Sequence, residues 1–208
     1  MNLIIVGSTG GTGRCLVEQA LEQGHTVTAF ARNPAKITIQ HPNLSVVQGD
    51  VLDRATVKPA LNGKDAVLSA LGVRKLRKTT VLSEGTRNII TAMQQHGVRR
   101  LIVESSLGVG DSRGQFPWYL GLLVRIFLRN IYADKEVQEA FIRESGLDWT
   151  IVRPAGLTNG ARRGVYRQWV GKPDAPITGW ISRADVADFM LKQLTDTTYL
   201  RQAVGLSY

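Results

Sequence analysis

Residues 2–13 read NLIIVGSTGGTG. Asn2–Val6 is a short apolar run of strand character. Gly7, Gly10 and Gly13 follow at the spacing G-x-x-G-x-x-G, ahead of a segment with helical period. A strand, a sharp turn and a helix in that order bring backbone N–H groups to the mouth of the turn. Glycines remove the Cβ atoms that would hold an anion away, and the positive end of the helix dipole adds attraction. The stretch therefore predicts a pyrophosphate cradle made by Gly7, Thr9, Gly10, Gly11, Thr12 and Gly13, with the Thr9 and Thr12 hydroxyls as extra donors. The plain alternative is a glycine-rich turn that only joins strand to helix.

Outward from this loop, apolar runs of four to six residues alternate with longer helical segments, the pattern of an α/β protein with a parallel sheet. Strands are expected at Asn2–Val6, Thr26–Ala31, Leu44–Gln48, Ala66–Ser69, Arg100–Glu104 and Trp149–Arg153. Helices are expected at Gly13–Gln23, Asp53–Leu61, Thr79–Gln95, a long segment ending at Ser145, and Ser182–Leu194. Gly24, Gly63, Gly97 and Gly146 each stand just past a helical pattern, as left-handed C-caps do. With no repeats, low-complexity tracts or linkers, the 208 residues predict one Rossmann-like domain, a doubly wound parallel sheet with helices on both faces. The segment 154–178, rich in Gly, Pro and Arg, is expected as a loop over the carboxyl ends of the strands, on the substrate side.

Composition narrows the function classes. The one cysteine, Cys15, excludes an internal disulfide framework, and three scattered histidines leave little for a metal centre. Twenty-six basic against 17 acidic side chains give a formal charge of +9, which favours anionic partners without choosing among them. The amino terminus has no charged leader followed by a long apolar stretch, so the expectation is a cytoplasmic chain. The longest apolar run, Phe116–Tyr132, is interrupted by Arg125 and Arg129 and falls short of the roughly 20 residues of a bilayer span. It reads as packing against the sheet, as a lid over the pocket, or as a membrane-surface helix. The basic cluster Arg74, Lys75, Arg77 and Lys78 is either a solvated loop or an anchor for a substrate phosphate; no aromatic interleaving or helix-turn-helix pattern supports nucleic-acid binding.

The tip of the second strand bears on cofactor choice. A fold of this type that selects NAD carries an acidic residue about 20 residues past the glycines to bond the ribose 2′-hydroxyl. Here the strand ends in Phe30-Ala31-Arg32-Asn33, with Lys36 beyond. Arg32 offers a planar fork to a 2′-phosphate and Lys36 a second charge, so NADP(H) is the expected cofactor. Asp50, after the third strand, either accepts from the adenine amino group or starts a turn.

Beyond the glycine loop, GDVLD at Gly49–Asp53, LGVRK at Leu71–Lys75, TTVLSEGTRNIITAMQQHGV at Thr79–Val98 and IRESGLDWTIVRP at Ile142–Pro154 carry a resemblance. Nearly end to end, the chain resembles the atypical short-chain dehydrogenase/reductases with NmrA-like NAD(P)H-binding domains. Its nearest likeness there is to the small biliverdin reductase B/flavin reductase group. The resemblance implies a Rossmann-like reductase that uses NADPH in a shallow open pocket to reduce flavins, biliverdins or quinones. It implies that Thr9 to Gly13, Arg32, Lys36, Asp50 and Val51 bind the adenosine and phosphate end. Leu71, Gly72, Val73 and Arg74 line the middle of the cofactor, Ser105 and Ser106 lie beside the nicotinamide, and Pro154, Ala155 and Gly156 form the opposite wall.

Three departures stand out. Gly156 replaces a histidine that the flavin/biliverdin reductases carry, Lys135 replaces a second one, and the segment between Ser106 and Lys135 is longer. The Tyr-x-x-x-Lys pair of ordinary short-chain dehydrogenases is missing, because Ile131 sits four residues before Lys135. Tyr132, three before it, is expected to point its phenol elsewhere. Ser106 and Lys135 are the candidate catalytic residues, each with a plain reading beside it: a strand-end capping serine and a surface helix lysine. Ser182 and Asp185 read as a helix cap, and Cys15 as packing. Two functions follow. One is an NADPH-dependent reductase of a flavin or similar planar acceptor, a monomer acting on a small molecule with no nucleic acid and no stable membrane insertion. The other is a non-catalytic NADP(H)-binding sensor or assembly factor.

Overall fold

The computed structural model describes residues 1–73, 78–115 and 128–208. Its main sheet contains β1 (Asn2–Val6), β2 (Thr26–Ala31), β3 (Leu44–Gln48), β4 (Ala66–Ser69), β5 (Arg100–Glu104), β6 (Asp148–Pro154), β8 (Arg167–Val170) and β10 (Gln202–Ser207). The order is β3-β2-β1-β4-β5-β6-β10-β8. Every neighbouring pair runs parallel except β10 and β8, which are antiparallel at the edge. Two short strands, β7 (Gly156–Thr158) and β9 (Trp180–Ser182), pair in parallel outside that sheet. The direction of strand addition reverses between β1 and β4, and a crevice opens there at the carboxyl ends of the strands, where ligands of open α/β sheets bind.

The helices are α1 (Gly11–Glu22), α2 (Arg54–Ala60), α3 (Val81–His96), α4 (Arg129–Glu144) and α5 (Arg183–Lys192). Strand alternation decides which of them each side chain meets. Leu3 and Ile5 join Leu16 and Val17 of α1 and Val186 and Met190 of α5 in one core. Ile4 and Val6 point the other way, to Ile89 and Met93 of α3 and Ile142 of α4. Leu3, Ile4 and Ile5 are fully buried, each contributing about 1.5–3 kcal/mol relative to exposure. Gly24, Gly63, Gly97 and Gly146 all take positive φ, from 66° to 78°, as expected of residues that end helices.

All six expected strands are present, β6 with one more residue at each end. The helices shift by one or two residues; α1 starts at Gly11 rather than Gly13 because the turn tightens into helix directly behind Gly10. The loop expected over 154–178 contains β7 and β8, and β9 and β10 lie beyond it. β10 has no clear strand pattern because Gly205 interrupts it. That glycine is required: a Cβ there would lie 2.3 Å from the Trp169 indole, which packs flat on the strand from β8. Among the described residues no helix is long and apolar enough to cross a membrane. Most of the Phe116–Tyr132 run, and Arg74, Lys75 and Arg77 of the basic cluster, lie outside the described residues.

Candidate functional site

The glycine loop winds tightly between β1 and α1. Gly7 has φ +80°, and a Cβ on it would lie 2.3 Å from the carbonyl oxygen of Ala70. A Cβ on Gly13 would lie 2.1 Å from the carbonyl oxygen of Gly7. The Gly10 N–H donates to that same carbonyl at 2.9 Å, and Gly10 is the N-cap of α1, bringing no capping side chain. First-turn N–H groups are thus left facing the crevice at the positive end of the helix. This cradle, which side chains would fill, fits a dinucleotide's diphosphate. Thr9 is half-buried in it. The Thr12 hydroxyl donates instead to buried Glu104 Oε1 at 3.0 Å, so Thr12 offers an anion its backbone rather than its side chain.

At the outer end of the cradle, Asn33 Oδ1 accepts from the Ala35 N–H at 3.1 Å and caps the short 3-10 turn Pro34–Lys36. Arg32 and Lys36 are exposed there. Arg14, on α1, donates to the Lys36 carbonyl at 3.4 Å and joins them. None of the three takes part in a salt bridge among the described residues. Arg14 escaped sequence reasoning because it sits within the helical period; its place right after GSTGGTG was the available signal.

Asp50 forms a turn, its Oδ1 accepting from the Leu52 N–H at 3.0 Å. Val51 is buried, and its carbonyl accepts from Asn88 Nδ2 of α3 at 2.9 Å. Leu71, Gly72 and Val73 follow β4 after Ala70, with the Leu71 N–H nitrogen 3.0 Å from where a Gly7 Cβ would lie, and Arg74 lies outside the described residues.

The inner end is built on β5, α4 and β6. Ser105 is buried and its hydroxyl donates to Glu139 Oε1 at 2.7 Å. Glu139 is also gripped by the Arg153 fork, Nε to Oε1 at 3.0 Å and Nη2 to Oε2 at 2.6 Å. Arg153 in turn holds Asp111 at 2.6 Å. These bonds tie the end of β5 and the loop behind it to α4. The Ser106 hydroxyl lies 2.9 Å from the Tyr132 phenol, which donates to the Leu107 carbonyl at 3.0 Å. The expectation that Tyr132 points elsewhere is therefore corrected. Residues three apart share a helix face, so the first two turns of α4 bring Tyr132 and Lys135 to the same side.

Lys135 is buried rather than a surface lysine. Burial pushes its ammonium below the ordinary lysine value, against the pull of Glu104, Glu139 and Asp134. Glu104 moves upward for the same reason, against Lys135, Thr12 and Arg183. Burial also raises the Tyr132 phenol, which keeps its proton at neutral pH. Asp134 accepts from the Leu82 and Ser83 N–H groups at 3.0 and 3.2 Å and fixes α4 against the start of α3.

The opposite wall follows β6. The Pro154 carbonyl accepts from Leu107 N–H and the Ala155 N–H donates to Leu206, both at 2.9 Å, while the Gly156 N–H donates to Gly179 at 2.8 Å. Trp180, 44% exposed, packs its ring on Gly156. Ser182 caps α5 as expected, accepting from the Asp185 N–H at 3.0 Å. Burial raises the Cys15 thiol, consistent with a packing role. Among the described residues no cluster of His, Cys, Asp and Glu is arranged for a metal.

Comparison with known proteins agrees with this geometry. The family model described as NAD(P)H-binding matches residues 7–197. The chain is 31% identical to photosystem II assembly factor Ycf39 of Synechocystis sp., over 77% of this chain and 46% of that protein, so it spans about half of that relative's length. It is 28% identical to the (4-alkanoyl-5-oxo-2,5-dihydrofuran-3-yl)methyl phosphate reductase of Streptomyces griseus, over 99% of this chain and 67% of the relative. A Rossmann-fold NAD(P)-binding family protein from Shigella flexneri superposes with a TM-score of 0.74 at 27% identity, covering 99% of this chain and 92% of that one. With that model matched over residues 7–197, from the glycine cradle to beyond α5, the chain belongs to the NAD(P)H-binding family.

Proposed function

We propose that the chain is an NADPH-dependent reductase that passes hydride to a flavin or a similar planar acceptor such as a biliverdin or quinone. The observation that carries the cofactor choice is the meeting of Arg14, Arg32 and Lys36 past β2 with no carboxylate paired to them among the described residues. Three cations there suit a 2′-phosphate better than a bare 2′-hydroxyl, for which a carboxylate acceptor would be needed. The nicotinamide, when bound, supplies the hydride; the protein's part is to place the ring and shape the charge around it. Ser106 offers hydroxyl hydrogen bonds to the nicotinamide carboxamide at the inner end. Buried Lys135 sets its amino group, as a hydrogen-bond donor, next to the ribose and to an acceptor gaining electrons. A flavin or quinone takes its proton from water, so the Tyr132 phenol serves to orient Ser106. The reductase from Streptomyces griseus supports reduction as the reaction class.

A second reading, a non-catalytic NADP(H)-binding sensor or assembly factor, is favoured by the Ycf39 relative. One experiment separates the two: following the NADPH absorbance band as riboflavin, FMN, a quinone and biliverdin are added in turn. Turnover above the protein-free rate with at least one acceptor supports the reductase. Cofactor binding with no turnover on any acceptor overturns it and leaves the sensor reading.

A further inference from the structure

Arg183, the first residue of α5, is about 170 positions from the glycine loop in sequence yet lies directly on it. A Cβ added to Gly11 would meet Arg183 Cδ at 2.5 Å and Nε at 2.7 Å. The side chain therefore crosses the first turn of α1. Arg183 Nη1 donates to Asn159 Oδ1 at 2.6 Å and reaches the Leu157 carbonyl at 3.5 Å, so the β7 end of the molecule holds the guanidinium in place.

The electrostatics of this placement are unusual. Arg183 lies against the first turn of α1, which holds no acidic residue, so its positive charge adds to the positive end of that helix; in its own helix the Asp185 carboxylate is taken up by Ser182, Tyr208 and the Arg163 and Gly164 N–H groups. Cations are disfavoured at such ends and anions are favoured. No carboxylate oxygen among the described residues comes within the 4.0 Å of a salt bridge to relieve it. Glu104 feels its charge from beneath the loop, but that carboxylate accepts its hydrogen bond from Thr12. An arginine held here by neutral oxygens, across glycines that leave the backbone bare, has the surroundings of an anion ligand.

We propose that Arg183 binds the cofactor diphosphate, closing the glycine cradle from the α5 side as the α1 amino end closes it from the other. The inference rests on the proposed use of a dinucleotide. It adds to it that the diphosphate is gripped by a residue from the carboxyl-terminal part of the chain. Arg14, Arg32 and Lys36 serve the other phosphate, at the far end of the adenosine.

Calorimetric titration of the 208-residue chain with NADP⁺ and, separately, with adenosine 2′-monophosphate tests this. The second probe keeps the 2′-phosphate and lacks the diphosphate. Arg183→Gln is expected to weaken NADP⁺ by roughly ten- to a hundredfold, the scale of a lost charged hydrogen bond, and to leave adenosine 2′-monophosphate within about twofold. Arg183→Lys, which keeps the charge and loses the fork, is expected to fall between. Unchanged NADP⁺ affinity in both variants overturns the proposal, and so does equal weakening of both probes, which marks general damage to the fold. Failure of the unsubstituted chain to bind either probe would instead remove the cofactor reading beneath it.

Discussion

The Trp180 indole stands where a side chain on Gly156 would begin: Cε3 and Cζ3 lie 2.5 and 2.6 Å from the position of a Cβ there. The resembling flavin/biliverdin reductases carry a histidine at this place. Here the glycine and the tryptophan form one unit, with the ring covering the backbone while Trp180 stays partly exposed. Gly156→Ala should destabilise the chain by about 1–3 kcal/mol, because overpacking forces the ring to move. Urea unfolding with tryptophan emission as the signal measures both effects. An unchanged midpoint with unchanged emission would show that the ring yields freely.

Arg32 and Arg14 are expected to read the 2′-phosphate. Arg32→Ala should weaken NADPH by about 1.5–3 kcal/mol while NADH changes far less. Arg14→Ala should act in the same direction. Calorimetry with both cofactors decides the matter: equal losses for NADPH and NADH would mean that these cations do not discriminate the phosphate.

The contact between Tyr132 and Ser106 invites a comparison of two variants. If Tyr132 only orients Ser106, Tyr132→Phe should cost about 0.5–1.5 kcal/mol in flavin reduction, the value of one neutral hydrogen bond. Ser106→Ala should cost as much or slightly more, with NADPH binding still measurable. A thousandfold drop in kcat for Tyr132→Phe would make the phenol a proton donor in the reaction, and substrates with a ketone or enone oxygen would then become the better candidates.

How much of this was legible in the sequence depends on distance along the chain. The cradle could be read because all of its determinants fall within residues 2–13, and β1, β2, β4, β5 and β6 because buried parallel strands are short, largely apolar runs; β3, at the sheet edge and only part-buried, shows through Val46 and Val47. β10 could not, since Gly205 makes sense only once Trp169 lies against it. β7 and β9 have three residues each, too few for any period to show. Lys135 reads as an ordinary helix lysine until α4 turns it toward Glu104, and Tyr132 reaches Ser106 because a three-residue step stays on one helix face. Arg183 reaches Gly11 only through the fold, so no local pattern could assign it.

Asp185 holds the β9–α5 turn from which Arg183 springs, and its pH dependence can be worked out. Its Oδ1 accepts from the Arg163 and Gly164 N–H groups, each at 2.8 Å, and its Oδ2 from the Ser182 hydroxyl at 2.9 Å and the Tyr208 phenol at 2.5 Å. Burial alone would raise its carboxyl, but the Tyr208, Gly164, Ser182 and Arg163 donors outweigh it and hold the group below its ordinary 3.8. In the unfolded chain the proton binds near that ordinary value. The folded chain takes it up only at lower pH, so the unfolded state binds more protons in between. The stability Asp185 lends is therefore complete above pH 3.8 and disappears as pH falls through the folded value. Asp185→Asn should lower stability by about 1–3 kcal/mol at pH 7, the scale of lost hydrogen bonds to a buried charge. The gap between variant and unsubstituted chain should narrow once the pH drops below that ordinary value. Urea midpoints at pH 7, 5 and 3.5 measure it, and a gap that stays constant over that range would show that the carboxylate's charge contributes nothing to this turn.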